Sequence, residues 1–247
     1  MASADLRPEQ ATDDRGGGQT AATGIMSWLT WLPRLVALHL AWSVMVLLGG
    51  VVIGIAPATV TLVTVLRGQN EFARATGSRA LAAAVWARYR REVPGANCAA
   101  GPFVIIALAA GANVGLGLAG ALPAWFFPAG FAAAIIVLVI AILATFHAIA
   151  LRTLRPAARA QVIWRGALAG PFLLPVATGS LTVTLIATAL IAAIIQPVAM
   201  LCGGGILVAM TTYLLVRPWQ SRLDAALEAA QSSSRGSLPS VAMENGR

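Results

Sequence analysis

The sequence is divided into long uncharged apolar runs, and this pattern constrains the fold more than any other feature. Five runs each approach the roughly 20 residues that a helix needs to cross about 30 Å of hydrocarbon. They occupy residues 34–55, 100–121, 129–151, 171–195 and 198–217. The chain is 58% hydrophobic and 11% charged, whereas a soluble domain has about 25% charged residues. We therefore predict an all-α fold, a polytopic transmembrane helical bundle, and exclude a soluble globular protein.

Polar segments lie at both ends of the chain. Residues 1–27 contain many Gly, Thr and Asp residues and no apolar period, so they cannot bury enough surface to offset the entropy of ordering. We predict that they form a disordered N-terminal tail. Residues 28–222 are predicted to form the transmembrane helical domain. Residues 223–247 are predicted to hold the end of a C-terminal helix and a second disordered tail.

The arginines indicate an orientation in the membrane, because short cytoplasmic loops carry an excess of basic residues. Arginines cluster in the connections 56–99 and 152–170 and after the last span. They are Arg67, Arg74, Arg79, Arg88, Arg90, Arg91, Arg152, Arg155, Arg159, Arg165, Arg217 and Arg222. Five spans place all of them on one side. We predict a multi-pass protein of the cell (plasma) membrane, with the N-terminus outside and the C-terminus cytoplasmic.

Residues 35–66 carry no charge and exceed the length of one span. Gly49, Gly50 and Pro57 interrupt them, and Pro is well tolerated at the first position of a helix. Ten residues from Pro57 extend only about 15 Å, which is half a bilayer. We therefore predict a short interfacial or re-entrant helix that begins at Pro57. The alternative is a two-helix hairpin, which gives six crossings and a cytoplasmic N-terminus.

Few side chains in the predicted spans can carry chemistry. Sequence motifs of metalloproteases, serine hydrolases and nucleotide-binding proteins are absent, and no span contains a pair of acidic residues. His39 and His147 are the ionisable residues inside the spans, and the five-span arrangement places them at different depths. Cys98 and Cys202 have no spacing typical of a metal site. The sequence predicts a non-enzymatic protein with no catalytic residue, metal or cofactor.

The segment 78–93 has the pattern of a basic amphipathic helix. Its apolar residues recur at helical spacing, while arginines occupy other faces. The apolar residues are Leu81, Val85, Trp86, Tyr89 and Val93, and the arginines are Arg79, Arg88, Arg90 and Arg91. Such a helix lies against the anionic surface of the lipid bilayer or docks a partner. Nucleic acid is disfavoured as a partner, because the arginines adjoin membrane spans and no binding module accompanies them.

A small-residue step occurs within the second predicted span. Gly111 and Gly115 form a GxxxG spacing, which lets two helix backbones approach closely. We favour packing within the bundle, with the face of a homo-oligomer as the alternative. Asn113 lies between the two glycines. We predict that it bonds a neighbouring helix, with a ligand contact as the alternative.

Three segments together resemble the YesL family of small bacterial membrane proteins. They read WLPRLVALHLAW, LLGGVVIGIAPATVTLVTVLRG and WARYRREVPGAN. The residues that match the family pattern are Trp42, Gly54, Pro57, Ala58, Thr59, Leu62, Trp86, Tyr89, Arg90 and Asn97. His39 stands where the family usually has Asn. The resemblance covers residues 28–98, and the rest of the chain is similar only in its span pattern.

The resemblance implies a role beside another membrane protein. Members of the family commonly accompany sugar-uptake ABC transporters, so the implied function is an accessory component of carbohydrate uptake with an ABC permease as partner. An autonomous small transporter or channel and a structural bundle are the alternatives. Our candidate functional or docking residues are His39, Trp42, Pro57, Thr59, Trp86, Arg88, Tyr89, Arg90, Arg91, Asn97 and Asn113.

Overall fold

The structure, a computed structural model, describes residues 16–68, 77–121 and 129–236, with the backbone alone at 16–31, 197–200 and 233–236. These residues form helices and turns, and no strand occurs among them. The helices are α1 (Gly16–Leu48), α2 (Val51–Leu66), α3 (Ser78–Leu118), α4 (Ala129–Leu154), α5 (Ala160–Leu173), α6 (Pro175–Ile194), α7 (Gln196–Met210), a π-helical turn (Thr211–Val216) and α8 (Arg217–Gly236). The predicted all-α fold is confirmed for this part of the chain.

Four segments are long and apolar enough to cross a membrane. They are Ser78–Leu118, Ala129–Leu154, Pro175–Ile194 and Leu201–Ser232. Each overlaps one of the last four predicted spans. Two further helical segments, Leu32–Leu48 and Val51–Leu66, are apolar but shorter. The protein therefore has the architecture of a helical membrane protein.

The first predicted span, residues 34–55, is not continuous. A turn at Gly49 and Gly50 divides it, and the positive φ of 69° at Gly50 is a conformation that glycine adopts without steric penalty. The α1 and α2 helices fold back on each other as a hairpin and pack together. The α2 helix begins at Val51 instead of Pro57. Pro57 lies inside α2, where it has no N–H to donate to the carbonyl of residue 53.

The α2 helix is buried inside the bundle. Every residue from Ala56 to Thr64 is buried, and α1, α3, α4 and α7 all pack against it. This differs from the predicted interfacial helix, because a helix that lies on a membrane surface exposes one face to water. At 16 residues the helix is about 24 Å long, longer than the ten residues predicted.

The basic segment 78–93 is not a separate helix. It forms the first turns of α3, which has 41 residues and so extends about 60 Å, about twice the hydrocarbon thickness. Pro94 and Pro102 lie inside this helix. The sequence predicts a basic helix over 78–93 apart from the span 100–121, whereas α3 continues through both prolines and contains both segments.

The connections at the two ends of α6 are each a single residue long. Leu174 and Ile195 adopt non-helical backbone angles at the two ends of α6, and each is followed by a proline at the start of the next helix. The π-helical turn joins α7 to α8 and packs against α4. The uncharged connection 122–128, residues 1–15 and residues 237–247 lie outside the described residues. Of the predicted tails, the structure describes only the residues from Gly16 in α1 and those up to Gly236 in α8. The boundaries of the tails stay predictions.

Candidate functional site

Trp42 on α1 and Thr59 on α2 are brought together by the hairpin. The indole N–H of Trp42 donates to Oγ1 of Thr59 over 3.0 Å. The Thr59 hydroxyl in turn donates to the carbonyl of Ile55 over 2.8 Å. Pro57 is buried on the same helix. Trp42 and Thr59 therefore join the two helices of the hairpin, and the Thr59 hydroxyl both donates and accepts a hydrogen bond.

His39 joins α1 to α7. Its Nδ1 accepts a hydrogen bond from the backbone N–H of Gly204 over 2.9 Å, and its Nε2 lies 3.3 Å from Oγ of Ser43. A backbone N–H can only donate, so Nδ1 carries no proton and the ring is the neutral Nε2–H tautomer. A Cβ at Gly204 would overlap the Trp42 ring. Only glycine allows α7 to approach α1 this closely.

Tyr89 ties α3 to the end of the α1–α2 hairpin. Its hydroxyl donates to the carbonyl of Met45 over 2.8 Å, and the residue is buried. Its ring stacks on Trp86, with the ring centroids 5.4 Å apart. Trp86 itself is 40% exposed. The aromatic pair therefore has one member inside the bundle and one at its surface.

A buried carboxylate joins the ends of α3 and α4. Glu92 lies 3.0 Å from Nη2 of Arg88 and 3.1 Å from Nε of Arg152, and it is 5% exposed. Arg152 also donates to the carbonyl of Pro156. One carboxylate faces two guanidinium groups, so this Glu92 cluster has a formal charge of +1. Sequence reasoning missed Glu92, although it is the one acidic residue in the basic segment and follows Arg88 by one helical turn.

The other predicted residues lie apart from these contacts. Arg90 and Arg91 are exposed on α3, and Asn97 donates to the carbonyl of Val93 in its own helix over 2.8 Å. Asn113 is exposed and lines a shallow apolar groove between α3 and α4. The candidate residues predicted from the sequence therefore lie in separate parts of the protein: the hairpin, the Glu92 cluster and two surfaces of α3.

A second histidine belongs to a hydrogen-bond network whose members the sequence alone does not connect. His147 on α4 is fully buried. Its Nε2 lies 3.0 Å from Oγ1 of Thr178 on α6, and its Nδ1 accepts from the indole N–H of Trp219 on α8 over 2.9 Å. Since an indole N–H only donates, His147 is also the neutral Nε2–H tautomer. The sequence indicates an intramembrane histidine, but its partners lie 31 and 72 residues away.

The arrangement is suited to holding helices together and to presenting positive charge. Trp42 and Thr59 of the hairpin, the Glu92 cluster and the His147 network bond one another or the backbone, whereas the buried hydroxyl of Thr61 on α2 has no hydrogen-bond partner among the described residues. Within the described ranges, no three His, Cys, Asp or Glu residues come close enough to hold a metal ion. Arginines supply the charge at the accessible surface of α3.

A family model described as "Protein of unknown function, DUF624" matches residues 35–114, about a third of the chain. The match begins in α1, contains the whole of α2 and ends near the C-terminus of α3. All eleven candidate residues predicted from the sequence lie within it. No curated protein matches the chain, and no solved structure matches it.

Proposed function

We propose that this protein is a YesL-like, non-enzymatic accessory component of carbohydrate uptake that works beside an ABC permease in the cell membrane. The link to sugar uptake rests on the resemblance over residues 28–98, and the DUF624 match over residues 35–114 covers most of the same stretch. Four long apolar helices support residence in a membrane.

The observation that carries the proposal is an exposed basic face on the first turns of α3. Arg79, Trp86 and Arg90 are spaced by seven and four residues and so lie on one side of the helix. Arg91 lies about 100° further round the helix from Arg90, and all four residues are exposed. We call these four residues the basic face. The other side of the helix carries Tyr89 and Glu92, which bond α1 and α4. A helix held rigidly on one side and left basic and aromatic on the other is suited to dock a partner with an acidic surface.

Two contacts support a common membrane side for the arginine-rich segments. Glu92 of α3 bonds Arg152 at the end of α4, and Arg67 after α2 donates to Gln220 at the start of α8 over 3.0 Å. We propose that this side is cytoplasmic.

Arg34 on α1 and Leu66 at the end of α2 line one pocket, so the hairpin returns to the side where it began. This supports the alternative of a cytoplasmic N-terminus over five crossings with the N-terminus outside. Labelling of single cysteines at positions 22 and 233 tests this, in a variant lacking Cys98 and Cys202. Labelling from the same side of sealed vesicles supports the proposal, and labelling from opposite sides favours five crossings with the N-terminus outside.

Removal of charge from the basic face tests the docking role. The variant in which Arg79, Arg90 and Arg91 become Gln should lose co-purification of the permease and impair uptake of one carbohydrate. Arg88 stays unchanged because it pairs with Glu92. The matched control replaces Arg155, Arg159 and Arg165 with Gln, which removes two exposed charges from the connection between α4 and α5 and one from the first turns of α5. This control should retain the permease.

Three outcomes would contradict the proposal. An equal loss in both triple variants indicates general attraction to anionic lipid instead of docking. Unchanged sugar uptake in a deletion strain, with no permease co-purified by the wild-type protein, excludes the accessory role. Passage of a solute into liposomes by the purified protein alone favours an autonomous channel or transporter.

A further inference from the structure

A pocket of about 340 Å³ lies where the end of α2 meets the π-helical turn and α8. Its polar lining residues are Arg67, Thr212, Tyr213, Arg217 and Gln220. The volume lies within the range of about 300–1,000 Å³ that is typical of small-molecule sites. Two of the described residues that line the pocket are arginines, and none of them is acidic. The pocket is therefore suited to an anion.

A neutral amide holds Arg67 in the pocket wall. Nη2 of Arg67 donates to Oε1 of Gln220 over 3.0 Å, which uses one of the five N–H groups of the guanidinium. Arg67 is half-buried at the C-terminal end of α2. Because Gln220 carries no charge, it fixes the guanidinium without cancelling its positive charge. The other N–H groups are left to donate to a ligand.

An aromatic ring holds Arg217. Its guanidinium carbon lies 4.6 Å from the centroid of the Tyr213 ring, close enough for a cation–π contact. Both residues are exposed. A planar guanidinium group that stacks on a ring keeps its N–H groups at its edge, where a ligand can reach them. Arg217 therefore has a neutral partner, as Arg67 does, and no described carboxylate pairs with either arginine.

The π-helical turn shapes the pocket. It runs from Thr211 to Val216 and supplies Thr212, Tyr213 and Val216 to the lining. The π-helix is rare and frequently occurs at functional sites. The Thr212 hydroxyl donates to the carbonyl of Val208 over 2.8 Å, so its proton is not available to a ligand. An anion in this pocket must therefore be recognised mainly by the two arginines.

We propose that this pocket binds a phosphate group with a net negative charge, held by Arg67 and Arg217 together. Guanidinium groups bind phosphate through paired, charge-assisted hydrogen bonds, and one phosphate has enough oxygens to accept from two of them. An anion between the two arginines also reduces their mutual repulsion. The phosphate belongs to a lipid headgroup or is a soluble phosphate, since the same donors recognise both. The site needs no partner protein, so it is independent of the proposed role in sugar uptake.

Native mass spectrometry of the purified protein tests the lipid source. Phosphatidylglycerol and phosphatidylcholine with identical acyl chains compete for the protein in a neutral detergent. If the phosphate belongs to a lipid headgroup, we expect one retained phosphatidylglycerol per chain. Its preference over phosphatidylcholine should be about 25-fold, since each of the two arginines contributes about fivefold near an anionic surface.

Thermal unfolding tests the soluble source. Inorganic phosphate is added to the protein in the same detergent, and sodium chloride at equal ionic strength is the reference. If a soluble phosphate is the ligand, the unfolding temperature should rise with phosphate concentration, because a ligand that binds the folded state stabilises it. Phosphatidylglycerol should then show no preference over phosphatidylcholine.

Three variants locate the site. Arg67→Gln and Arg217→Gln each remove one charged donor and should each weaken binding about fivefold. Gln220→Glu keeps an acceptor for Arg67 but adds a negative charge, so it should weaken binding although no arginine is lost. Gln220 is exposed, so this variant does not depend on the folding of Arg67→Gln. The control, Arg155→Gln at an exposed position between α4 and α5, should bind like the wild-type protein.

The site is supported, for either source, if the three variants weaken binding and the control does not. A wild-type protein with neither the lipid preference nor the phosphate-dependent stabilisation would overturn the proposal. An equal loss in Arg155→Gln would also overturn it, because this indicates a general attraction of anions to a basic protein.

Discussion

The indole N–H of Trp219 donates a hydrogen bond to Nδ1 of His147 over 2.9 Å inside the bundle. The two rings meet edge to face, with their centroids 6.0 Å apart. Thr178 occupies the other nitrogen of the imidazole, so one buried ring joins α4, α6 and α8. A doubly protonated imidazole would direct an N–H at the indole N–H. The network therefore depends on a neutral His147.

Trp219→Phe removes the donor and keeps most of the ring volume. We expect the free energy of unfolding to fall by about 1–3 kcal/mol, since the buried Nδ1 of His147 then lacks a partner. Thermal unfolding in mild detergent measures the change. Trp164→Phe is the control, because that indole donates to carbonyls at Cys98 and Ala99 at a more exposed position. Equal destabilisation by both variants would contradict the special role of the His147 contact.

Gly203 and Gly204 provide a matched pair on α7. A Cβ at Gly204 would meet the Trp42 ring, whereas a Cβ at Gly203 meets no atom within 4 Å. We expect Gly204→Ala to lower the free energy of unfolding by about 1–3 kcal/mol through overpacking. Gly203→Ala should be neutral or stabilising by up to about 1 kcal/mol, because Ala favours the helix more than Gly. Similar unfolding temperatures for the two variants would show that α1 and α7 do not pack closely at this position.

The sequence predicted the long helices well because their signal is local. An apolar run of about 20 residues with no charge predicts a span without knowledge of its neighbours, and four such runs correspond to long apolar helices. Gly49 and Gly50 interrupt the first apolar run in the sequence, but glycine also occurs within membrane helices, so the two glycines alone do not indicate a turn. The structure shows a turn there because α2 folds back onto α1.

The contacts of the candidate residues could not be predicted because they join distant parts of the chain. Glu92 and Arg152 are 60 residues apart, and His39 and Gly204 are 165 apart. Neither pair has a spacing that a helical period would indicate. The sequence identified Trp42, Thr59 and Tyr89 through a resemblance, but only the packing of α1 against α2 and α3 shows what each one bonds.

The contact between Trp42 and Thr59 can be measured by a double-mutant cycle. Thr59→Val keeps the shape of the side chain and removes the acceptor, and Trp42→Phe removes the donor. We expect each single variant to lose stability and the double variant to lose less than the sum, with a coupling free energy of about 0.5–1.5 kcal/mol. The cycle is measured by unfolding in the same detergent throughout. Strict additivity would show that the 3.0 Å contact contributes no stability.

Glu92 should be the most sensitive charged residue of the described chain. Glu92→Gln leaves Arg88 and Arg152 facing each other across a nearly buried site, and breaking such a pair destabilises proteins by about 3–5 kcal/mol. We expect a value near the lower end, because the side chains of both arginines keep some exposure, 15% and 14%. Arg152→Gln should destabilise less, since Glu92 then keeps Arg88 as its partner. Unfolding in detergent at low salt gives the three stabilities.

The salt dependence of stability distinguishes electrostatic repulsion between the two arginines from the loss of a contact. The two arginines of Glu92→Gln repel each other, and added salt screens the part of this repulsion that passes through solvent. The deficit of Glu92→Gln relative to the wild-type protein should therefore shrink as salt is raised, whereas that of Arg152→Gln should change little. Asp224→Asn, at an exposed position on α8, should stay within about 0.5 kcal/mol of the wild-type protein. If Glu92→Gln unfolds at the wild-type temperature, the carboxylate does not hold α3 to α4, and the end of α4 must be fixed by apolar packing alone.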